Sequence, residues 1–193
     1  AARRHGVEPD AHVDVGGLLR AGPQSAGAQP GPACYGRGGE LPTATDAAAV
    51  LGMLAHGELA GGVSLDFDAA RRALEPLGES LELGVDELAC GILTILSNSM
   101  AEAIRSVTVE QGQDPRVATL LAFGGAGPVF ATLLATELGM ERIVVPNYAG
   151  NFSAWGLLGQ DVARSVAQTS IRLLDAAGLR ATRAWSSEVS SGE

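Results

Sequence analysis

The stretch from Ala118 to Val145 constrains the fold more than any other part of the chain. Ala118–Phe123 is a continuous apolar run, the pattern of a strand buried on both faces. The turn Gly124-Gly125-Ala126-Gly127 follows it. Pro128 then stands where a first helical residue belongs, because proline needs no backbone donor there and already has a helical φ. The pattern predicts a helix over Val129–Leu138, ended by Gly139, and a second buried strand over Arg142–Val145. A strand–turn–helix–strand unit of this kind belongs to an α/β fold.

Upstream, His12–Val15 and Leu18–Ala21 flank Gly16-Gly17 and read as a short β-hairpin. Glycine and proline dominate from Gly22 to Pro42, and a loop of that length inside a compact domain is usually functional. Thr45 is read as the cap of a helix over Asp46–Ala55, and Asp66 as the cap of a helix over Phe67–Leu77. Apolar residues at Leu88, Ile92, Ile95, Leu96, Met100, Ala103, Ile104 and Val107 follow three-and-four spacing. They predict one long amphipathic helix over Val85–Gln111, ended by Asp114-Pro115. A short helix is expected over Asn151–Leu158, opened by Asn151 or Ser153, and a late strand or pair of strands over Val162–Leu174. From Ala181 onward Ser, Glu and Gly accumulate as in a frayed tail.

Composition removes whole classes of chemistry. The 193 residues are 46% hydrophobic and 18% charged, the balance of a globular protein. All 13 basic residues are arginine, so a P-loop lysine, a Schiff base and a lysine nucleophile are excluded. A net charge of −9 repels phosphate backbones, and no nucleic-acid partner is expected. The two cysteines, Cys34 and Cys90, cannot build a disulfide framework or a zinc site. His5, His12 and His56 show no metal-ligand spacing. No apolar run is long enough for a membrane-spanning helix, and AARRHGVEPD lacks the apolar core of a signal peptide. The expectation is a cytoplasmic protein without a membrane partner. A start without methionine adds the expectation of a fragment or processed chain.

A glycine turn between a strand and a helix lets backbone approach a ligand, and the helix start behind it offers donors to phosphate. The dinucleotide version fails here. Phe130 stands where a third glycine belongs, and Pro146-Asn147 follows the second strand where an acidic ribose ligand is needed. Spacing leaves two readings open, a nucleotide contact and a structural corner. Asp46 reads as a magnesium ligand or general base, or as a charge favoured at a helix start. Cys34 reads as a buried small side chain rather than a nucleophile, since no histidine lies near it in sequence, and Cys90 as core. Asn98, Glu102 and Arg105 share one helix face, either lining a cleft or forming a solvated face with a local ion pair. Arg37 is an anion clamp or a loop salt bridge.

Three blocks carry a resemblance: GPQSAGAQPGPACYGRGGELPTATDAAAVLG (Gly22–Gly52), SNSMAEAIRSVTVEQGQDPRVATLLAFGGAGPVFA (Ser97–Ala131) and VPNYAGNFSAWGLL (Val145–Leu158). They resemble the hydantoinase A/5-oxoprolinase family, collinearly over residues 12–168, with 1–11 and 181–193 as poorly defined ends. The resemblance implies an α/β fold of the actin-like ATPase (ribonuclease H-like) type, here its C-terminal lobe, incomplete. It implies ATP and Mg2+ as cofactors, Gly124, Gly125, Ala126 and Gly127 on the adenosine side of ATP, and Asp46 as the catalytic carboxylate. The implied activity is ATP-dependent opening of a small cyclic amide, a hydantoin or 5-oxoproline ring, by phosphorylation of its carbonyl oxygen. Implied partners are an N-terminal ATPase lobe and a hydantoinase B-like subunit or domain. Two alternatives stand beside this: a subunit of an ATP-dependent ketone carboxylase, and an assembly or binding module without catalysis. The sequence departs from the family at Phe130, where members usually carry histidine, and in AARRHGVEPDA, where members carry a glycine-rich phosphate segment. Alone, the chain is expected to hydrolyse little.

Overall fold

The computed structural model of the chain describes residues 11–22, 25–27, 29–54, 58–59, 62–159 and 169. The chain divides into two compact units, Ala1–Ser153 and Ala154–Glu193. The expected late strand over Val162–Leu174, save Thr169, and the tail from Ala181 lie outside the described residues, as do His5 and His56.

In the first unit the predicted hairpin forms from strands β1 (Ala11–Val13) and β2 (Leu19–Ala21), antiparallel, with His12 opposite Arg20. Asp14 shapes its turn. Its Oδ1 accepts the Gly16 and Leu18 amides at 2.8 and 3.0 Å, and its Oδ2 meets Arg20 Nε at 2.8 Å. Helix α1 (Ala44–Val50) follows the Gly/Pro loop, and a second small antiparallel pair joins β3 (Glu58–Leu59) to β4 (Val63–Ser64). Asp66 caps α2 (Phe67–Ser80) by accepting the Ala69 amide at 2.8 Å, as its sequence position predicts. The long helix α3 (Val85–Glu110) spans 26 residues, within one residue of the expected end.

Helices α1, α2 and α3 pack together around Leu74, Leu88 and Ile92, which are fully enclosed, with Ala47, Ala48 and Ala89 at the close contacts. Alanine-rich faces let the helices approach closely, and Leu74, Leu88, Ile92 and Leu93 fill the centre. The buried stripe of α3 runs through Leu88, Ala89, Ile92, Leu93, Ser97 and Ala101. Cys90 lies two residues from both Leu88 and Ile92, about 200° round the helix from each. It is exposed, which corrects its expected place in the core.

The strand–turn–helix–strand unit is present: β5 (Thr119–Leu121), α4 (Gly127–Leu138) and β6 (Arg142–Val144). The strands pair in parallel, with Leu120 opposite Ile143, and Gly139 ends α4 in a left-handed conformation at φ 66°. The predicted burial of both strand faces is not observed. Leu120 packs with Ala101, Leu134 and Leu138, but Leu121, Phe123 and Val144 are exposed. Among the described residues this sheet has only two strands, so no further layer covers them. Helix α5 (Phe152–Leu158) is preceded by a 3₁₀ turn at Ala149–Asn151. In the second unit, the described end of α5 closes with the Gly159 amide on the Gly156 carbonyl at 3.2 Å.

Candidate functional site

The glycine turn is open and its helix start is uncapped. Ala126 is the N-cap of α4, and no side chain bonds into that end. Gly124 adopts φ 85°, a conformation that disfavours any residue with a Cβ, and its amide is held by the Ala149 carbonyl at 2.8 Å. Tyr148, itself left-handed at φ 59°, immediately precedes that carbonyl. Among the described residues no carbonyl accepts the amides of Gly125, Ala126 or Gly127. A Cβ on Gly125 would meet nothing within 4 Å. Three donors without an acceptor among the described residues, at the start of a 12-residue helix, suit an anionic or strongly polar ligand.

The structure gives Asp46 a specific occupation. It is fully enclosed, and its carboxylate joins the helix to the Gly/Pro loop. Oδ1 accepts the Cys34 amide at 2.8 Å. Oδ2 accepts the Thr43 hydroxyl at 2.7 Å and the amides of Ala33 and Thr43, both at 3.2 Å. Thr43 returns the contact through its Oγ1, which accepts the Asp46 amide at 3.1 Å. This is a capping box, and the cap is Thr43 rather than the expected Thr45. The loop is pressed tight at the same place: a Cβ on Gly39 would collide with the Gly31 carbonyl oxygen.

Cys34 is fully buried in this corner. Burial, and then the nearby Asp46 charge, push its thiol well above the ordinary range, so it stays protonated and is a poor nucleophile. Arg37 stands exposed, with no ion pair among the described residues. Asn98 and Glu102 are exposed on α3. Arg105 does not pair within its own helix but reaches α4, where its Nη2 contacts Glu137 Oε1 at 3.1 Å and the Glu137 carbonyl. Among the described residues no group of three His, Cys, Asp or Glu side chains could hold a metal ion.

Sequence reasoning missed Arg20. It lines a cleft of about 880 Å³ with His12 and Asp14 from the hairpin and Ile95, Leu96 and Ser99 from α3. The signal was available in the hairpin register, since a turn at Asp14–Gly17 places residues 12 and 20 opposite one another.

The described elements form a mixed helix and strand unit, with an open glycine turn between a parallel strand and a helix. Two solved structures are similar to this chain overall: the ATP-dependent caprolactamase from Pseudomonas jessenii (TM-score 0.70, 41% identity, 77% of this chain and 22% of that one) and a nucleotide-free acetone carboxylase (TM-score 0.69, 31% identity, 78% and 22%). The hydantoinase/oxoprolinase family model matches residues 11–166, and the chain belongs to that family. In sequence it is 43% identical to the caprolactamase subunit alpha of Pseudomonas jessenii, over 79% of this chain and 22% of the relative. It is 35% identical to 5-oxoprolinase 1 of Arabidopsis thaliana, over 76% and 13%. The chain thus spans less than a quarter of the length of these relatives.

Proposed function

We propose that this chain supplies the adenosine side of the ATP site in an actin-like, ribonuclease H-like ATPase, as part of an ATP-dependent hydrolase of cyclic amides. The observation that carries the reading is the glycine turn: three amides without acceptors among the described residues, at an uncapped helix start with open space beyond Gly125. Donors left unpaired in a folded chain are what a nucleotide's polar edge or phosphates would satisfy. Gly125, Ala126 and Gly127 would hold the nucleotide through their backbone, while Gly124, already bonded to Ala149, would set the turn's shape. When bound, ATP supplies the phosphoryl group that turns an amide carbonyl into a better electrophile. The related proteins named caprolactamase and 5-oxoprolinase support a lactam as substrate.

Asp46 enters this reading as a positioning residue. Enclosed and accepting four hydrogen bonds from the loop and from Thr43, its carboxylate suits holding the Gly/Pro loop better than binding Mg2+ or abstracting a proton. The rest of the ATP and Mg2+ site would come from an N-terminal ATPase lobe. A second, hydantoinase B-like subunit would complete the reaction, in keeping with a relative that is itself named as an alpha subunit. Likeness to acetone carboxylase favours a second reading, in which the same ATP-using lobe serves a carboxylation.

The test is Mg–ATP binding to this chain and to Gly125→Val. The substituted side chain points into open space, so the variant is expected to fold while its binding falls at least about tenfold through loss of backbone approach. Unchanged binding in Gly125→Val would place the nucleotide elsewhere.

A further inference from the structure

We propose that the cleft between the β1–β2 hairpin and α3 binds an uncharged, ring-sized organic amide through the terminal nitrogens of Arg20. This rests on the cyclic-amide reading above and assigns it a location. The cleft, at about 880 Å³, lies within the usual range for small-molecule sites. Its apolar lining comes from Ala21, Ala44, Ile95 and Leu96. Its polar lining includes His12 and Arg20, paired across the hairpin, with Asp14, Ser25 and Ser99. A body of CH2 groups with one amide end matches that division.

Charge selects the uncharged ligand. Asp14 holds the Arg20 guanidinium by Nε at 2.8 Å, which orients the fork and partly offsets its charge. The terminal nitrogens of Arg20 have no hydrogen-bond partner among the described residues and remain donors for a carbonyl oxygen. A phosphate or carboxylate placed there would also face the Asp14 carboxylate, in a chain of net charge −9. The Ser99 hydroxyl donates to the Ile95 carbonyl at 3.0 Å, so its oxygen is left to accept an amide N–H.

The cleft is also tied to the glycine turn. Ala21 and Leu96, both lining the cleft, pack against the same core cluster as Val129 and Phe130 in the first turn of α4. A molecule in the cleft and a nucleotide at Gly124–Gly127 would therefore rest on one shared cluster.

Amide chemical shifts of the 193-residue chain, followed by NMR during titration with ε-caprolactam, test this proposal. Saturable shifts at His12, Arg20, Ile95 and Ser99 are expected. Loss of the Arg20 donors in Arg20→Met is expected to weaken binding about tenfold. Ser99→Phe, which fills the cleft from an exposed helical position, is expected to weaken it at least as much while the hairpin amides keep their folded positions. No saturable shift at these residues would overturn the proposal. So would unchanged binding in Ser99→Phe, or inorganic phosphate producing the same shifts more tightly than caprolactam. A parallel Mg–ATP titration read at Gly124–Gly127 separates the two ideas. If those amides respond and the cleft does not, only the cleft assignment falls; if the cleft responds and they stay unmoved both on this chain alone and with a complementary N-terminal lobe, the nucleotide reading falls.

Discussion

At the scale of single residues, Asp46 makes the sharpest stability prediction. Replacing it with alanine strips acceptors from the buried amides of Ala33, Cys34 and Thr43 together. Each orphaned buried donor is costly, so Asp46→Ala is expected to lower stability by about 3 kcal/mol in urea unfolding. A loss below about 0.5 kcal/mol would show that the carboxylate does not hold the loop. The cysteines separate by environment. In the folded chain an alkylating reagent is expected to modify Cys90 and spare Cys34, with both reacting after unfolding, as read by mass spectrometry. Because the folded state keeps the Cys34 proton, its contribution to stability is present below the ordinary thiol range. It is lost as pH rises above that range, where the unfolded chain ionises first. Asp14 runs the other way. The Leu18 amide and Arg20 hold its carboxyl below the usual value, so the hairpin is supported at neutral pH and loosens as pH falls through that lowered value. Hairpin amide shifts followed below the ordinary carboxylate range check this. The cap at Thr43 was legible in principle, since a capping box puts the acid three positions after the hydroxyl. Thr45 drew the assignment only by standing next to Asp46.

Among the elements, those with strong periodicity were read well and those defined by their neighbours were not. The bounds of α3 and the start of α2 follow from apolar spacing and an aspartate cap, both local to the chain. Burial of β5 and β6 is a different kind of property, because it depends on layers outside the segment. The apolar runs announce that such layers are wanted, and among the described residues only α4 and α3 supply one side. The glycine turn sits between these cases. Its conformation was legible, while the engagement of Gly124 by Ala149 joins segments 25 residues apart and leaves no local sign. The turn allows a paired test. Gly124→Ala forces a Cβ into φ 85° and is expected to cost about 1–2 kcal/mol, whereas Gly125→Ala, facing open space, is expected to change stability little. Equal effects in thermal or urea unfolding would contradict this description of the turn.

For the molecule as a whole, Phe130 is the residue that integrates the unit. It packs against both the Leu88–Ile92 cluster and the Ala101–Leu134–Leu138 cluster, and so couples the helical layer to the strand–helix unit. At that position the resemblance leads one to expect a histidine, and this chain has an apolar link. Phe130→Ala is expected to remove about 2–4 kcal/mol from the whole transition. The site is distributed in the same way: the sequence exposed the glycine turn, but the cleft exists only because hairpin and helix are brought together. The central claim is that this folded unit presents an ATP-binding turn, and Mg–ATP titration followed at the Gly124–Gly127 amides tests it most directly, on this chain alone and with a complementary N-terminal lobe. Saturable shifts centred on Gly125, Ala126 and Gly127 in at least one of the two, abolished by Gly125→Val, are the predicted result. No binding in either, or binding that leaves those amides unmoved, would contradict the account.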